Sequence, residues 1–364
     1  MRKVLLPRRP YPRQRVHSIP LAKQAPMTAM HVLTDRAGDK PILHGVRPFD
    51  IGRDLRPVAR LIAIAFADEL DESGEAALRE LRILGHMSGL IRLLTRSTGE
   101  LQDVFNGFVW VEDGELVGNV TVQRANNNSG RWQIANVAVL PKFRGRGISR
   151  ILMDTALDYV QEMGGTWSVL QVRANNDIAR GLYERMGFEN MGGATELFAA
   201  RPPRDVERRG EVALQSYDGA HSQMLYDLAT SQQTAESQWW RAVRKADFEI
   251  PLEQRMGEWF NQIAGREQIY RRAVREYEAR FEAALQLKAR RWRGVHEIDL
   301  WSRPDAADEN QRTLITWALA QLQRYPVWPI KVNLTTSQTA AKDLLLHHGF
   351  EERHTLLTMR RRMR

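Results

Sequence analysis

The 364-residue chain contains no cysteine, which excludes disulfide frameworks, thiolate metal sites and a cysteine nucleophile. No stretch approaches 18 consecutive apolar residues, so no segment reads as a membrane-spanning helix. Acidic residues are missing from positions 1–34, where seven basic ones stand. Carboxylates are also missing from Arg131-Trp132-Gln133-Ile134-Ala135-Asn136, a lack that bears on the chemistry below. What remains is an ordinary globular composition. Hydrophobic residues make up 43% of the chain, enough for real cores, and the length fits two domains.

The formal charge is +9, from 53 Lys+Arg against 44 Asp+Glu. A balance of that sign raises nucleic acid or an anionic membrane as a partner. Its distribution argues otherwise. Seven of the cations lie in residues 1–34, and Arg360, Arg361, Arg362 and Arg364 lie in the last five; without these ends 42 basic residues face 44 acidic ones. The alkaline excess is therefore expected to belong to the tails, with no membrane partner and nucleic acid the weaker reading for the arm.

Residues 1–40 are rich in Pro and Arg without a sustained period and read as a flexible basic arm. The apolar run Val4-Leu5-Leu6 is too short for a secretory signal, so a cytoplasmic location is expected. Met27 and Met30 are alternative starts. From residue 42 the chain is patterned: a strand from Ile42 to Phe49, a helix from Leu55 to Leu70 and another from Glu75 to Leu94. Strands Gly107–Glu112 and Glu115–Gln123 meet at Asp113-Gly114, a strong short-range hairpin signal. A strand from Trp132 to Leu140, a helix from Gly147 to Glu162, a strand from Ser168 to Arg173 and a helix from Asp177 to Met186 follow. A closing hairpin to about Ala200 and a linker at Arg201-Pro202-Pro203-Arg204 complete the first half.

The chemistry concentrates where a strand, Val137-Ala138-Val139-Leu140, gives way to Pro141-Lys142-Phe143-Arg144-Gly145-Arg146-Gly147-Ile148-Ser149 and a helix. Glycines permit a tight turn and close approach to a ligand. Successive N–H groups at a helix N-terminus cradle phosphate, and Arg144 and Arg146 add charge there. A strand-to-helix turn with two solvated arginines is the plainer alternative. About thirty residues on stands Asn176-Asp177-Ile178-Ala179-Arg180-Gly181-Leu182-Tyr183-Glu184-Arg185-Met186-Gly187-Phe188.

The pair of segments resembles the GCN5-related N-acetyltransferase (GNAT) family. The first is similar to its (Q/R)-x-x-G-x-(G/A) acyl-CoA loop at Arg144, Gly147 and Ser149, with serine departing from Gly/Ala in the last position. The second is similar to its N-x-x-A-x-x-L-Y-x-x-x-G-F segment at Asn176, Ala179, Leu182, Tyr183, Gly187 and Phe188. The resemblance covers residues 43–200. It implies acetyl-CoA as co-substrate, no metal, and a catalytic domain over 41–201. It places the pantetheine arm along the backbones of Val137 to Val139, including Ala138, and the pyrophosphate on Arg144, Gly145, Arg146, Gly147, Ile148 and Ser149. Asn176 would bond the pantetheine or adjacent backbone, or else cap the helix that begins at Asp177. Tyr183 would be the general acid that protonates the departing thiolate, or else an aromatic on a packing face.

The base is less legible. Many relatives carry a Glu on the strand before the loop, where this chain has none. Either Gln133 or Asn136 orients a water, or a carboxylate arrives from elsewhere, with Asp68, Glu69, Asp71 and Glu72 as candidates that equally suit a solvated helix end.

Residues 211–364, after a linker at 202–210, repeat the first half at an offset of about 162. Ala341, Leu344 and Gly349-Phe350 fall on Ala179, Leu182 and Gly187-Phe188; at 163, Ile298, Leu300 and Pro304 fall on Ala135, Val137 and Pro141. The expected architecture is α/β (α+β): two tandem GNAT folds, each a mixed, mostly antiparallel sheet flanked by helices, the second degenerate. An unrelated α/β cap is the alternative for the second half, and Glu267–Lys288 could be one amphipathic helix. In the second copy Asp305-Ala306-Ala307-Asp308-Glu309-Asn310 replaces the loop, with Asp residues suited to a helix cap and first turn. Leu345 replaces Tyr183. Seven of the ten tryptophans lie in this half and are expected to pack.

The expected activity is acyl transfer from CoA to a primary amine, on a small molecule or a peptide N-terminus, by direct attack in a ternary complex. The alternative is a non-catalytic module that binds or senses acyl-CoA. A monomer or a homodimer is expected, with the second domain imitating a dimer partner.

Overall fold

The computed structural model describes residues 31–33, 42–67, 106–125, 130–204, 206, 212–240, 243–249, 266–276 and 280–364. The helix expected over Glu75–Leu94 and the acidic run at Asp68, Glu69, Asp71 and Glu72 lie outside these residues. The elements are, in order, β1 (His31–Leu33), β2 (Ile42–Pro48), α1 (Ile51–Ala65), β3 (Gly107–Glu112), β4 (Glu115–Arg124), β5 (Arg131–Val139), α2 (Ile148–Glu162), β6 (Trp167–Arg173), α3 (Asp177–Arg185) and β7 (Glu189–Ala199). There follow β8 (Gln215–Ser216), α4 (Ser222–Gln232), α5 (Ala235–Trp240), β9 (Glu267–Glu276), β10 (Arg280–Arg290), β11 (His296–Ser302), α6 (Asp308–Leu322), β12 (Ile330–Thr335), α7 (Thr339–His347) and β13 (Glu351–Arg362). Contacts divide the chain into a unit of residues 1–94, 108–119 and 138–152 and a unit of residues 95–107, 120–137 and 153–364.

In the first unit β1, β2 and β3 pair antiparallel, with Gly45 opposite Val111 and Pro48 opposite Phe108. Three residues of the expected arm thus form a strand. Helix α1 begins four residues earlier than its apolar period indicates, because Asp50 caps it. The Asp50 carboxylate accepts the N–H groups of Gly52 and Arg53 at 2.9 and 3.1 Å, a contribution of about 1 kcal/mol. Val58 and Ile62 of α1 pack on Val109 and Val111 of β3. Asp54, one turn before Val58 on the same face, is buried yet bonded on all sides: Arg47 grips it at 2.5 and 2.7 Å and the Asp50 N–H donates at 2.8 Å. Burial alone would raise its pKa, but the Arg47 fork and the backbone bond together hold the carboxyl below its ordinary value. Asp113 and Gly114 turn the β3–β4 hairpin with φ of 50° and 79°, as a two-residue primed turn requires.

In the second unit the strand order runs β5-β6-β13-β7-β12-β11-β10-β9-β8. The closing hairpin expected before Ala200 does not form. Residues Glu189–Ala199 make one strand, and its partners come from the other end of the sequence: β13 on one side, β12 on the other. Strand β13 in turn pairs with β6, from Leu356 opposite Arg173 to Arg362 opposite Trp167. The last strand of the chain therefore sits between β6 and β7. This also corrects the charge reading: Arg360, Arg361 and Arg362 lie in β13, not in a free tail, and the Arg360 guanidinium lies over Trp167 and Trp239 at 5.1 and 5.5 Å.

Residues Glu267–Lys288 are not a helix. The described ones, 267–276 and 280–288, lie in β9 and β10, paired from Arg280 opposite Glu276 to Arg290 opposite Glu267. The second half then repeats the first in detail. Helices α2 and α6 have 15 residues each, and α3 and α7 have nine. Gly187 and Gly349 both end their helices at φ 82°. The next residues, Phe188 and Phe350, are buried and donate to the Tyr183 and Leu345 carbonyls at 3.0 and 3.1 Å. The core of the second copy joins Leu285, Leu287 and Ile298 of the strands to Leu314 and Leu319 of α6 and Leu345 of α7. Of the two places expected for its aspartates, the cap and the first turn, only the second is taken: no aspartate caps α6. Ala307 holds that position, with Asp308 and Glu309 in the first turn.

Candidate active site

The loop before α2 lies in the first unit. Gly145 and Gly147 adopt φ of 78° and 80°, and no atom lies within 4 Å of where a Cβ would stand on either. The backbone conformation, not crowding, therefore demands glycine at both positions. The Gly147 carbonyl accepts the Ile151 N–H at 3.1 Å and so starts α2. A glycine there offers no side chain to the first-turn N–H groups, which suits them to an anion. Gly118, which the sequence reading passed over, brings β4 against this helix: a Cβ on it would meet Leu152, Ile148 and Trp110 at 3.0–3.2 Å. The signal available was a lone glycine in a strand interior.

The two loop arginines differ. Arg144 is a brace: its Nε donates to the Val139 carbonyl at 3.1 Å and its Nη2 to the Ala65 carbonyl at 3.4 Å. Arg146 is exposed and lies over the Phe143 ring at 5.0 Å. A basic cavity of about 410 Å³, lined by Arg53, Arg56 and Arg60 among others, opens near the start of α1. Ala65, the residue that Arg144 holds, is at the other end of that helix, so this cavity is not the loop site.

The other expected site residues lie in the second unit, apart from Ala138 and Val139. Strand β5 pairs with β6 in parallel from Arg131 opposite Trp167 only as far as Gln133 opposite Val169. Both strands continue beyond this point, to Val139 and Arg173, so their pairing ends while the backbones run on. Asn136, exposed and at φ 51°, marks the irregularity just before Val137, and its Nδ2 donates to Thr121 Oγ1 at 3.2 Å. Gln133 is half-buried. Asn176 takes its capping role: its Oδ1 accepts the Ala179 N–H at 3.1 Å.

Tyr183 is 6% exposed, faces Phe188 with ring centroids 6.0 Å apart, and is the buried residue of α3. Burial, which disfavours the phenolate, pushes its pKa up to about 12.

Comparison with known proteins agrees with this geometry. Residues 80–188 match the acetyltransferase (GNAT) family. The chain resembles an N-alpha-acetyltransferase RimI of Mycobacterium tuberculosis, 34% identical over 95 residues, which are 26% of this chain and 58% of that protein. It also resembles a mycothiol acetyltransferase of Nocardiopsis dassonvillei, 30% identical over 181 residues, covering 46% and 48% of the two chains. The chain thus spans about half the length of these curated relatives. The crystal structure of a GCN5-related N-acetyltransferase from Sphaerobacter thermophilus shares the fold, with a TM-score of 0.50, 16% identity, and coverage of 88% and 96%. The stretch 80–188 of the chain is thus similar to the GNAT family, and the second half of the chain repeats the fold of the first.

Proposed function

We propose that the protein is an acetyl-CoA-dependent N-acetyltransferase whose first half, residues 41–201, carries the chemistry and whose second half, 211–364, is degenerate. The observation that carries this reading is the loop Arg144–Ser149: two glycines held at positive φ, opening directly into the N-terminus of α2. That arrangement suits the pyrophosphate of CoA. The backbone of β5 beyond Gln133, where pairing with β6 has ended, would take the pantetheine amides at Val137 to Val139.

The acceptor amine attacks the thioester carbonyl carbon. The C–S bond then breaks, and the sulfur leaves with the electron pair. Tyr183 donates its proton to that sulfur. A phenol raised to about 12 keeps its proton at neutral pH but would not release it at equilibrium to a thiolate whose conjugate acid has a pKa of about 8.5. Its donation is therefore tied to the charge that develops on sulfur inside the site. The amine proton leaves through a water held by Gln133 or Asn136, the amide side chains of β5. Attack is direct, since no cysteine is present to form an acyl-enzyme.

Thiol release from acetyl-CoA across a panel of primary amines, from small molecules to peptide N-termini, tests the reading. Tyr183→Phe should lower turnover at least about a hundredfold while acetyl-CoA binds as before; unchanged turnover would refute the assignment. The absence of a carboxylate from β5 favours a second reading, a module that binds acyl-CoA without turning it over. Tight acetyl-CoA binding with no thiol release for any amine would select it.

A further inference from the structure

Gln338 stands immediately before α7, at the position that Asn176 holds before α3 in the first copy. Asn176 bonds back to its own helix. Gln338 is longer by one methylene and does not cap; its side chain is buried, at 3% exposure, between two strands. Its Oε1 accepts the Thr335 N–H at 2.9 Å and the Thr335 hydroxyl at 3.2 Å, and its Nε2 donates to the Leu300 carbonyl at 3.2 Å. The Thr335 hydroxyl also meets Ser337 Oγ at 2.9 Å and Gln232 Nε2 at 3.3 Å.

The register explains the position of that amide. Strands β11 and β12 pair in parallel from His296 opposite Ile330 to Asp299 opposite Asn333, and both continue further. In a parallel ladder extended by the same rule, the Thr335 N–H would donate directly to the Leu300 carbonyl. Instead the strands part, and one carboxamide stands in that hydrogen bond, accepting from one strand and donating to the other. By the internal repeat Leu300 falls on Val137, and Thr335 falls on Arg173. The gap therefore falls within the stretch where β5 and β6 no longer pair.

We propose that the gap between β11 and β12 is a latent slot for one secondary amide of an extended chain, and that Gln338 fills it in cis. The primary amide of Gln338 presents the same acceptor and donor as a peptide or pantetheine amide, so it substitutes for such a ligand bond for bond. A pantetheine-like arm without phosphates is the ligand class, because Asp305, Asp308 and Glu309 stand where the first copy has its glycine loop and would repel a pyrophosphate. Each chain then binds one acyl-CoA, in the first copy. This ligand class rests on reading the β5–β6 gap as the acyl-CoA slot.

The test is Gln338→Asn, which installs the residue that the first copy uses as a helix cap, with Gln338→Ala as a second variant should the first not fold. In the full-length protein the Thr335 amide should exchange with solvent at least about tenfold faster in the variant, while amides of the paired segment Ile298–Asp299 keep their protection. Phosphate-free pantetheine should shift the amide resonances of Leu300, Leu334 and Thr335 in the variant and not in the wild type. Equal Thr335 exchange in both proteins would overturn the proposal. So would pantetheine shifts of equal size in wild type and variant, or none in either. A wild type that binds no acetyl-CoA at all would sink the proposed function, yet leave the Thr335 exchange result standing as a test of the clasp.

Discussion

Replacing Gly193 by alanine should damage both ends of the sequence at once, and the size of the effect follows from three contacts. A Cβ on Gly193 would stand 2.0 Å from the Leu356 carbonyl oxygen, 2.9 Å from its carbon and 3.0 Å from Leu357 Cα. Carbon–oxygen contacts between strands settle near 3.3 Å, so β7 and β13 would have to part by about 1 Å at this point. The strand cannot retreat freely. Gly193 is tied on its other side, its N–H donating to Thr336 Oγ1 at 3.1 Å and its carbonyl accepting the Thr336 N–H at 3.0 Å. Relief therefore breaks either these two bonds or the ladder between Gly193 and Leu357, Ala194 and Leu356. Two or three hydrogen bonds at about 1 kcal/mol each, with the packing lost beside them, give about 3–5 kcal/mol. Gly192→Ala is the control: its φ is 90° and a Cβ would meet only Thr336 Oγ1, at 3.6 Å, so backbone strain of about 1–2 kcal/mol is the whole cost. Denaturant melts of the two variants, with amide exchange at Leu356 and Leu357, make the comparison. Gly193→Ala as stable as Gly192→Ala, with those amides still protected, would refute the exchange of β13 into the first half's sheet. Because Leu356 also lies opposite Arg173, three residues before Asn176, weaker acetyl-CoA binding should accompany the lost stability.

Two further outcomes follow from the site. Gly147→Glu should abolish acetyl-CoA binding, measured by calorimetry, yet leave the fold standing, because the space around that position is open and only strain at φ 80° is added; retained affinity would remove the loop from the site. Stability should fall as pH rises from 10 towards 12. The folded chain holds the Tyr183 proton up to about 12, whereas the unfolded chain releases it near pH 10, so the unfolded state binds fewer protons in that window. One such group is worth up to about 2–3 kcal/mol, and Tyr217, also raised by burial, adds to the same slope. Tyr183→Phe should flatten the decline in urea melts at pH 9 to 12, and an unaltered slope would mean that the phenol is not desolvated.

Much of the local structure was legible from neighbouring residues. Asp113-Gly114 marked its hairpin because few residues accept positive φ at both turn positions. Gly145 and Gly147 marked the loop for the same reason, and the repeat placed Gly349-Phe350 on Gly187-Phe188, which end their helices alike. Three readings stayed out of reach. Arg144 read as charge beside a phosphate, and nothing near it in sequence showed that its guanidinium also holds the Ala65 and Val139 carbonyls, one of them 79 residues away. Glu267–Lys288 carried a period compatible with a helix until the pairing of β9 with β10 decided for strands. Gln338 matched Asn176 in position, and only the distance between β11 and β12 showed what one more methylene reaches.

By itself the sequence determined most of the elements, their order and the repeat. These are written in periods, glycines and side-chain types within short windows. The tertiary structure alone decided that β13 lies between β6 and β7, and that an internal amide closes the second copy's gap. Strand partners are chosen through backbone N–H and C=O groups that every residue but proline offers alike. Such a choice leaves almost no trace in the side chains, and it appears only once the backbones stand side by side.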